Sequence, residues 1–141
     1  MGMYTEFNFS VELTEDVSLD VVDILKFMLG EVETEPTLPE HPLFSTDKWR
    51  IMLRKDCYSF IVDRHSTLYF DDMTQSYFLC VRCNLENCDN EIEKFVSWIM
   101  PYLDERPGDL LGFSWYEGTE QPTLLFMAAD NQPLAVANDC S

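Results

Sequence analysis

Cys80-Val-Arg-Cys83, with Cys88 five residues on, is the first place in this 141-residue chain where residue type and spacing could do chemistry. Two thiols separated by two residues can supply half of a tetrahedral zinc site. Both cysteines, however, sit inside an alternating run, Tyr77, Leu79, Val81, Cys83 and Leu85 against Phe78, Cys80, Arg82 and Asn84. An odd offset along a strand sends two side chains to opposite faces. No second cysteine pair follows, and His41 and His65 are remote in sequence. The expectation is free thiols and no metal. A nucleophile and base could be drawn from Cys57 and His65, but nothing supplies an orienting third group or an oxyanion hole. Asp71-Asp72 and Asp89-Asn90-Glu91 offer oxygen donors to a divalent cation. Acids at a turn and at a helix start are already explained by solvation and the helix dipole. Five scattered glycines form no phosphate loop. The chain is therefore expected to be no enzyme and to need no cofactor.

Two charged sets remain. Arg50, Arg54 and Arg82 fall opposite the strongest apolar positions of their expected strands, as do Phe78 and Tyr116. If helices cover the other side, these five share an open sheet surface that could take a small anion or nucleotide by stacking and bidentate contacts. The plainer reading, that the arginines neutralise nearby carboxylates, is favoured in so acidic a chain. The second set is Glu31, Glu33, Glu35 and Glu40, on a proline-rich segment. In extended backbone, carboxylates at i and i+2 lie about 6.6 Å apart on one side, comparable with phosphates along a stretched nucleic-acid strand.

Composition sets the scale of that second signal. Nine basic against 26 acidic residues give a net charge of −17. Residues 1–47 and 71–141 each carry −10, while residues 48–70 carry +3. Such a field repels nucleic acid and anionic lipid and attracts a basic partner. Neither direct nucleic-acid binding nor a membrane role is expected. The N-terminus has no cationic or apolar signal region, and five cysteines without framework spacing fit a reducing compartment, so a cytoplasmic protein is expected.

The elements that must position these residues follow from periodicity. Phe7, Phe9, Val11 and Leu13 alternate with polar residues as a first strand. Ser18 caps a helix to Leu29, with Val21, Val22, Leu25, Met28 and Leu29 inward and Gly30 as its stop. Pro36, Pro39 and Pro42 make 31–47 a loop, which Leu38, Leu43 and Phe44 could pin to the core. Trp49, Ile51 and Leu53 read as a strand, followed by Tyr58–Val62, Leu68–Phe70 and Tyr77–Leu85, the last taken as central. Ile92, Phe95, Val96, Ile99 and Leu103 form a helical stripe, with Asn90 and Glu93 as a capping box. Leu111, Phe113 and Trp115 lead through a turn into Thr123–Ala128. The expected fold is α+β, a single mostly antiparallel sheet with two helices on one face, in the order β-α-β-β-β-β-α-β-β. It forms one domain over 1–130, followed by a loose tail at 131–141.

Tyr4-Thr5-Glu6-Phe7, the Pro39–Phe44 stretch with Trp49, and Asn84-Leu85 through Glu91–Phe95 resemble an uncharacterised family of small bacterial and phage-associated proteins. The resemblance spans roughly residues 4–127 and implies a prokaryotic or phage setting, without an activity or a site.

The leading functional expectation is a non-catalytic inhibitor or immunity-type protein, toxin-neutralising or directed against a defence system. Its carboxylates at Glu31, Glu33, Glu35 and Glu40 would occupy a basic, nucleic-acid-processing protein as a phosphate mimic. The alternative is a ligand module on the Arg50, Arg54, Arg82, Phe78 and Tyr116 face. Self-association through the open sheet face is a further option.

Overall fold

The computed structural model describes residues 4–54, 66–87 and 89–128. The strand expected at Tyr58–Val62, the Cys57 and His65 pair, Cys88 and the tail at 131–141 lie outside them. Five strands make one antiparallel sheet: β1 (Thr5–Glu12), β2 (Thr67–Asp71), β3 (Ser76–Leu85), β4 (Leu110–Tyr116) and β5 (Thr123–Phe126). Their order across the sheet is β2-β3-β1-β4-β5. The chain is α+β, with two helices against one face, α1 (Leu19–Met28) after β1 and α2 (Glu91–Ile99) after β3. The middle strand is β1, not β3, because β4 returns to the far side of β1.

Alternation places the core. Phe7 lies opposite Cys83 and Phe9 opposite Val81, and all four are buried with Val11, Leu79 and Leu85. The ring of Phe95 on α2 stands edge-on to Phe7 and Phe9, with centroids 6.0 and 5.9 Å away. That geometry is favoured for aromatic pairs and adds to their burial. Helix α1 buries Val21, Val22, Ile24, Leu25 and Met28. Ser18 Oγ accepts from the Val21 N–H at its start, and Gly30 ends it at φ +82. There Gly30 N–H donates to Phe27 O and Glu31 N–H to Lys26 O, a Schellman stop.

Two expected elements differ, the second at both of its ends. Residues 49–54 are not a strand but a turn running into a 3-10 turn, Met52–Arg54. Trp49, Met52 and Leu53 are buried at i, i+3 and i+4, while Ile51 is 40% exposed. Apolar residues at 49, 51 and 53 mimic a strand, but burial follows the helical offset that lets Trp49 reach Phe27 and Phe44. Helix α2 ends at Ile99 and tightens into a 3-10 turn, Met100–Tyr102, instead of running to Leu103. Pro101 has no N–H to continue an α-helical ladder. Its start is also capped differently. Asn90 has φ +56 and makes no side-chain cap, whereas Asn87 Oδ1 accepts the Ile92 N–H at 2.8 Å. Asn87 Nδ2 in turn donates to Glu93 Oε1 at 2.9 Å.

Candidate functional site

The carboxylate-bearing segment begins where the Schellman stop turns the chain away from α1, and it ends at a 3-10 turn, Pro42–Ser45. Three prolines within seven residues deny it a helix or a sheet ladder. It is not adrift, however. Leu43 is fully buried, and Leu38 and Phe44 pack against the core. Phe44 lies edge-on to Trp49 at 4.9 Å and to Trp98 at 5.5 Å. His41 closes the segment, with Nδ1 accepting from the Leu43 N–H at 3.0 Å. Partial burial moves the His41 pKa below 6.5, because the cation loses solvation.

Along this anchored stretch Glu31, Glu33, Glu35 and Glu40 are all exposed. Bends at Glu31 and Thr34 interrupt the extended backbone. Glu35 forms an ion pair with Arg50, whose guanidinium lies 5.1 Å from the Trp49 ring centroid. Lys48 pairs with Glu86 at 3.2 Å. Of the three arginines expected to neutralise carboxylates, Arg50 meets one, and Lys48 from the same basic stretch meets another. Exposed pairs of this kind contribute little stability. Their consequence is local: Arg50 offsets the charge of Glu35 and leaves Glu31, Glu33 and Glu40 as the outward anions.

The arginine and aromatic set is divided by the fold. Arg82 and Phe78 do share the open face of β3, with Cys80 between them. Arg50 lies off the sheet in a turn, and Arg54 ends the 3-10 turn Met52–Arg54. Tyr116 pairs with Thr5, which is buried on the helix-covered face. Its neighbour Trp115, opposite Glu6, takes the open side instead. The cause is an irregularity between Leu110 and Gly112, where the β4–β5 register shifts. One extra residue reverses which side chains face out. Leu111 is therefore buried, while Phe113 and Trp115 point away from it, although the three alternate in sequence. Asn8 of β1 lies opposite both Arg82 and Phe113, so the open face holds a row of arginine, asparagine and phenylalanine.

The other candidate groups are engaged in local structure. The Asp71 carboxylate accepts from Thr74 Oγ1 at 3.0 Å within the β2–β3 turn. Glu91, 1% exposed, accepts the Asp89 N–H at 3.2 Å. Buried Glu91 and Asn87 escaped the periodicity argument; the cluster of Asn and Asp before an apolar stripe was their only signal. Cys80 is exposed and Cys83 buried, on opposite faces of β3. Among the described residues no group of three or more His, Cys, Asp or Glu side chains is placed to hold a metal ion.

No protein-family model, curated protein or solved structure matches the chain. No helix among the described residues is long and apolar enough to cross a membrane.

Proposed function

We propose that this protein is a non-catalytic inhibitor of the immunity type, which binds a basic, nucleic-acid-processing protein through the carboxylates of residues 31–40. The observation that carries the reading is the exposure of Glu31, Glu33, Glu35 and Glu40 on one segment whose apolar residues anchor it to the core. A tethered segment loses less conformational freedom on binding than a loose one, so more of the contact energy reaches the affinity. A net charge of −17 adds long-range attraction for a cationic surface, which raises the association rate. The small-anion or nucleotide reading is weaker, since Arg82 and Phe78 alone of its five residues meet on the open face.

The test begins with affinity capture of the partner and its identification by mass spectrometry. Association rates are then measured for the wild type and for the Glu31→Gln, Glu33→Gln, Glu40→Gln triple variant, which leaves the Glu35–Arg50 pair in place, across a salt series. The expected partner is basic. Its association slows in the variant and slows with salt, as exposed charges are screened within about 8 Å at physiological ionic strength. Equal rates at low salt remove the segment from the interface. An apolar, salt-insensitive interface overturns the reading altogether.

A further inference from the structure

The far end of the carboxylate segment is held by a hydrogen bond that only one protonation state can make. His41 Nδ1 accepts from the Leu43 N–H at 3.0 Å, where the Pro42–Ser45 turn begins. Nδ1 accepts only in neutral imidazole whose proton sits on Nε2. In the cation both ring nitrogens carry hydrogen, and the Leu43 N–H then faces a second donor. The bond is lost and a repulsion replaces it. The residues that seat the segment belong to this same turn. Leu43 is fully buried, and the Phe44 ring stands against those of His41, Trp49 and Trp98. Thr46 Oγ1 closes the turn by donating to Leu43 O at 2.7 Å.

The elements packed against the turn are α2, through Trp98, and the 49–54 turn, through Trp49. Most of the charged groups around them have partners of their own. Glu91 accepts from the Asp89 N–H, Glu93 from Asn87, Lys48 pairs with Glu86 and Arg50 with Glu35. Lys94 lies on α2, Tyr102 in the turn that follows it, and exposed Glu40 directly precedes His41. Burial, and none of these charges, is what lowers the His41 pKa. A form in which the turn has lifted off the core returns the ring to water and restores its ordinary proton affinity. Linkage then fixes the direction: the proton binds the lifted form more tightly, so acidification favours lifting.

We infer that His41 is a pH-sensitive latch on the carboxylate segment: the neutral ring keeps the Pro42–Ser45 turn seated, and protonation loosens it and the residues 31–40 that it anchors. Its consequence for binding rests on the proposed role of Glu31, Glu33 and Glu40; the latch itself does not. The test is hydrogen exchange of the free full-length chain, followed by NMR at about pH 7.5 and about pH 5.5, either side of the ordinary imidazole pKa. Each amide is corrected for its intrinsic rate. Protection of the Leu43 N–H is expected to fall severalfold at the lower pH, while that of Phe9, in the middle strand, does not. His41→Asn keeps an accepting oxygen and cannot take up the proton. In that variant the fall at Leu43 is expected to vanish, and in His65→Gln it is expected to persist. Equal Leu43 protection at both pH values overturns the inference, as does an undiminished fall in His41→Asn or its disappearance in His65→Gln. An equal fall at Phe9 overturns it too, because the loss is then global. A captured partner that binds away from residues 31–40 overturns the proposed function and leaves the exchange result standing.

Discussion

The two faces of β1 and β3 are built from alternate residues of the same two segments, yet different physics governs them. Toward the helices stand Phe7, Phe9, Val11, Leu79, Val81, Cys83 and Leu85, none more than 3% exposed. Toward solvent stand Glu6, Asn8, Ser10, Cys80 and Arg82, all half-buried or exposed. On the covered face each side chain fills a volume set by its neighbours, so a lost methylene leaves a hole. On the open face water fills any gap, and charge and hydrogen bonding decide what can approach. One face therefore stabilises the fold, and the other is available for contact.

The sharpest way to break that comparison is at Phe95, whose ring meets both Phe7 and Phe9. Phe95→Ala is expected to cost about 3–5 kcal/mol. An unchanged midpoint in denaturant unfolding would show that α2 does not close the covered face. A smaller effect is expected at its rim, where neutral His41 caps the Pro42–Ser45 turn. With its folded pKa depressed below 6.5, the cap contributes fully above that value. As pH falls through 6.5 the unfolded chain binds the proton first, and stability is lost until the folded state protonates as well. Wild-type melting temperature should drop between about pH 7.5 and about pH 5.5 by more than that of His41→Asn, whose side-chain oxygen still accepts. Equal drops would remove His41 from the account. The smallest effect belongs to the open face: Leu124→Ser and Phe126→Ser should each change the stability of the monomer by no more than about 0.5 kcal/mol. A loss as large as that at Phe95 would mean that the open face is a second core.

Where local pattern and burial share one period, the elements were legible in the sequence. β1, α1 and β3 are such cases, and Ser18 and Gly30 bracket α1 where capping chemistry puts them. The segment at 49–53 misleads, because Trp49, Ile51 and Leu53 carry a two-residue period while Met52 occupies the position that completes a buried turn. Spacing points to Asn90 as the cap of α2, yet it is Asn87 that reaches the Ile92 N–H, and Asn90 adopts a left-handed conformation. The acidic site was half legible. Its carboxylates and prolines can be counted in the sequence, but the pairing of Glu35 with Arg50 joins residues fifteen positions apart through the packing of Trp49.

By itself the sequence determined the α+β class, the covered faces of β1 and β3, the placement of α1 and the excess of negative charge. Each of these follows from residue type and short-range spacing, which act before the chain is folded. Tertiary structure alone decided that β1 and not β3 lies at the middle of the sheet, because that depends on which edge β4 joins. It also decided the composition of the open face. The irregularity between Leu110 and Gly112 turns Phe113 and Trp115 outward, and the turn at 49–54 takes Arg50 off the sheet. Both depend on register and packing between distant segments, and neither is encoded in the spacing of neighbouring residues.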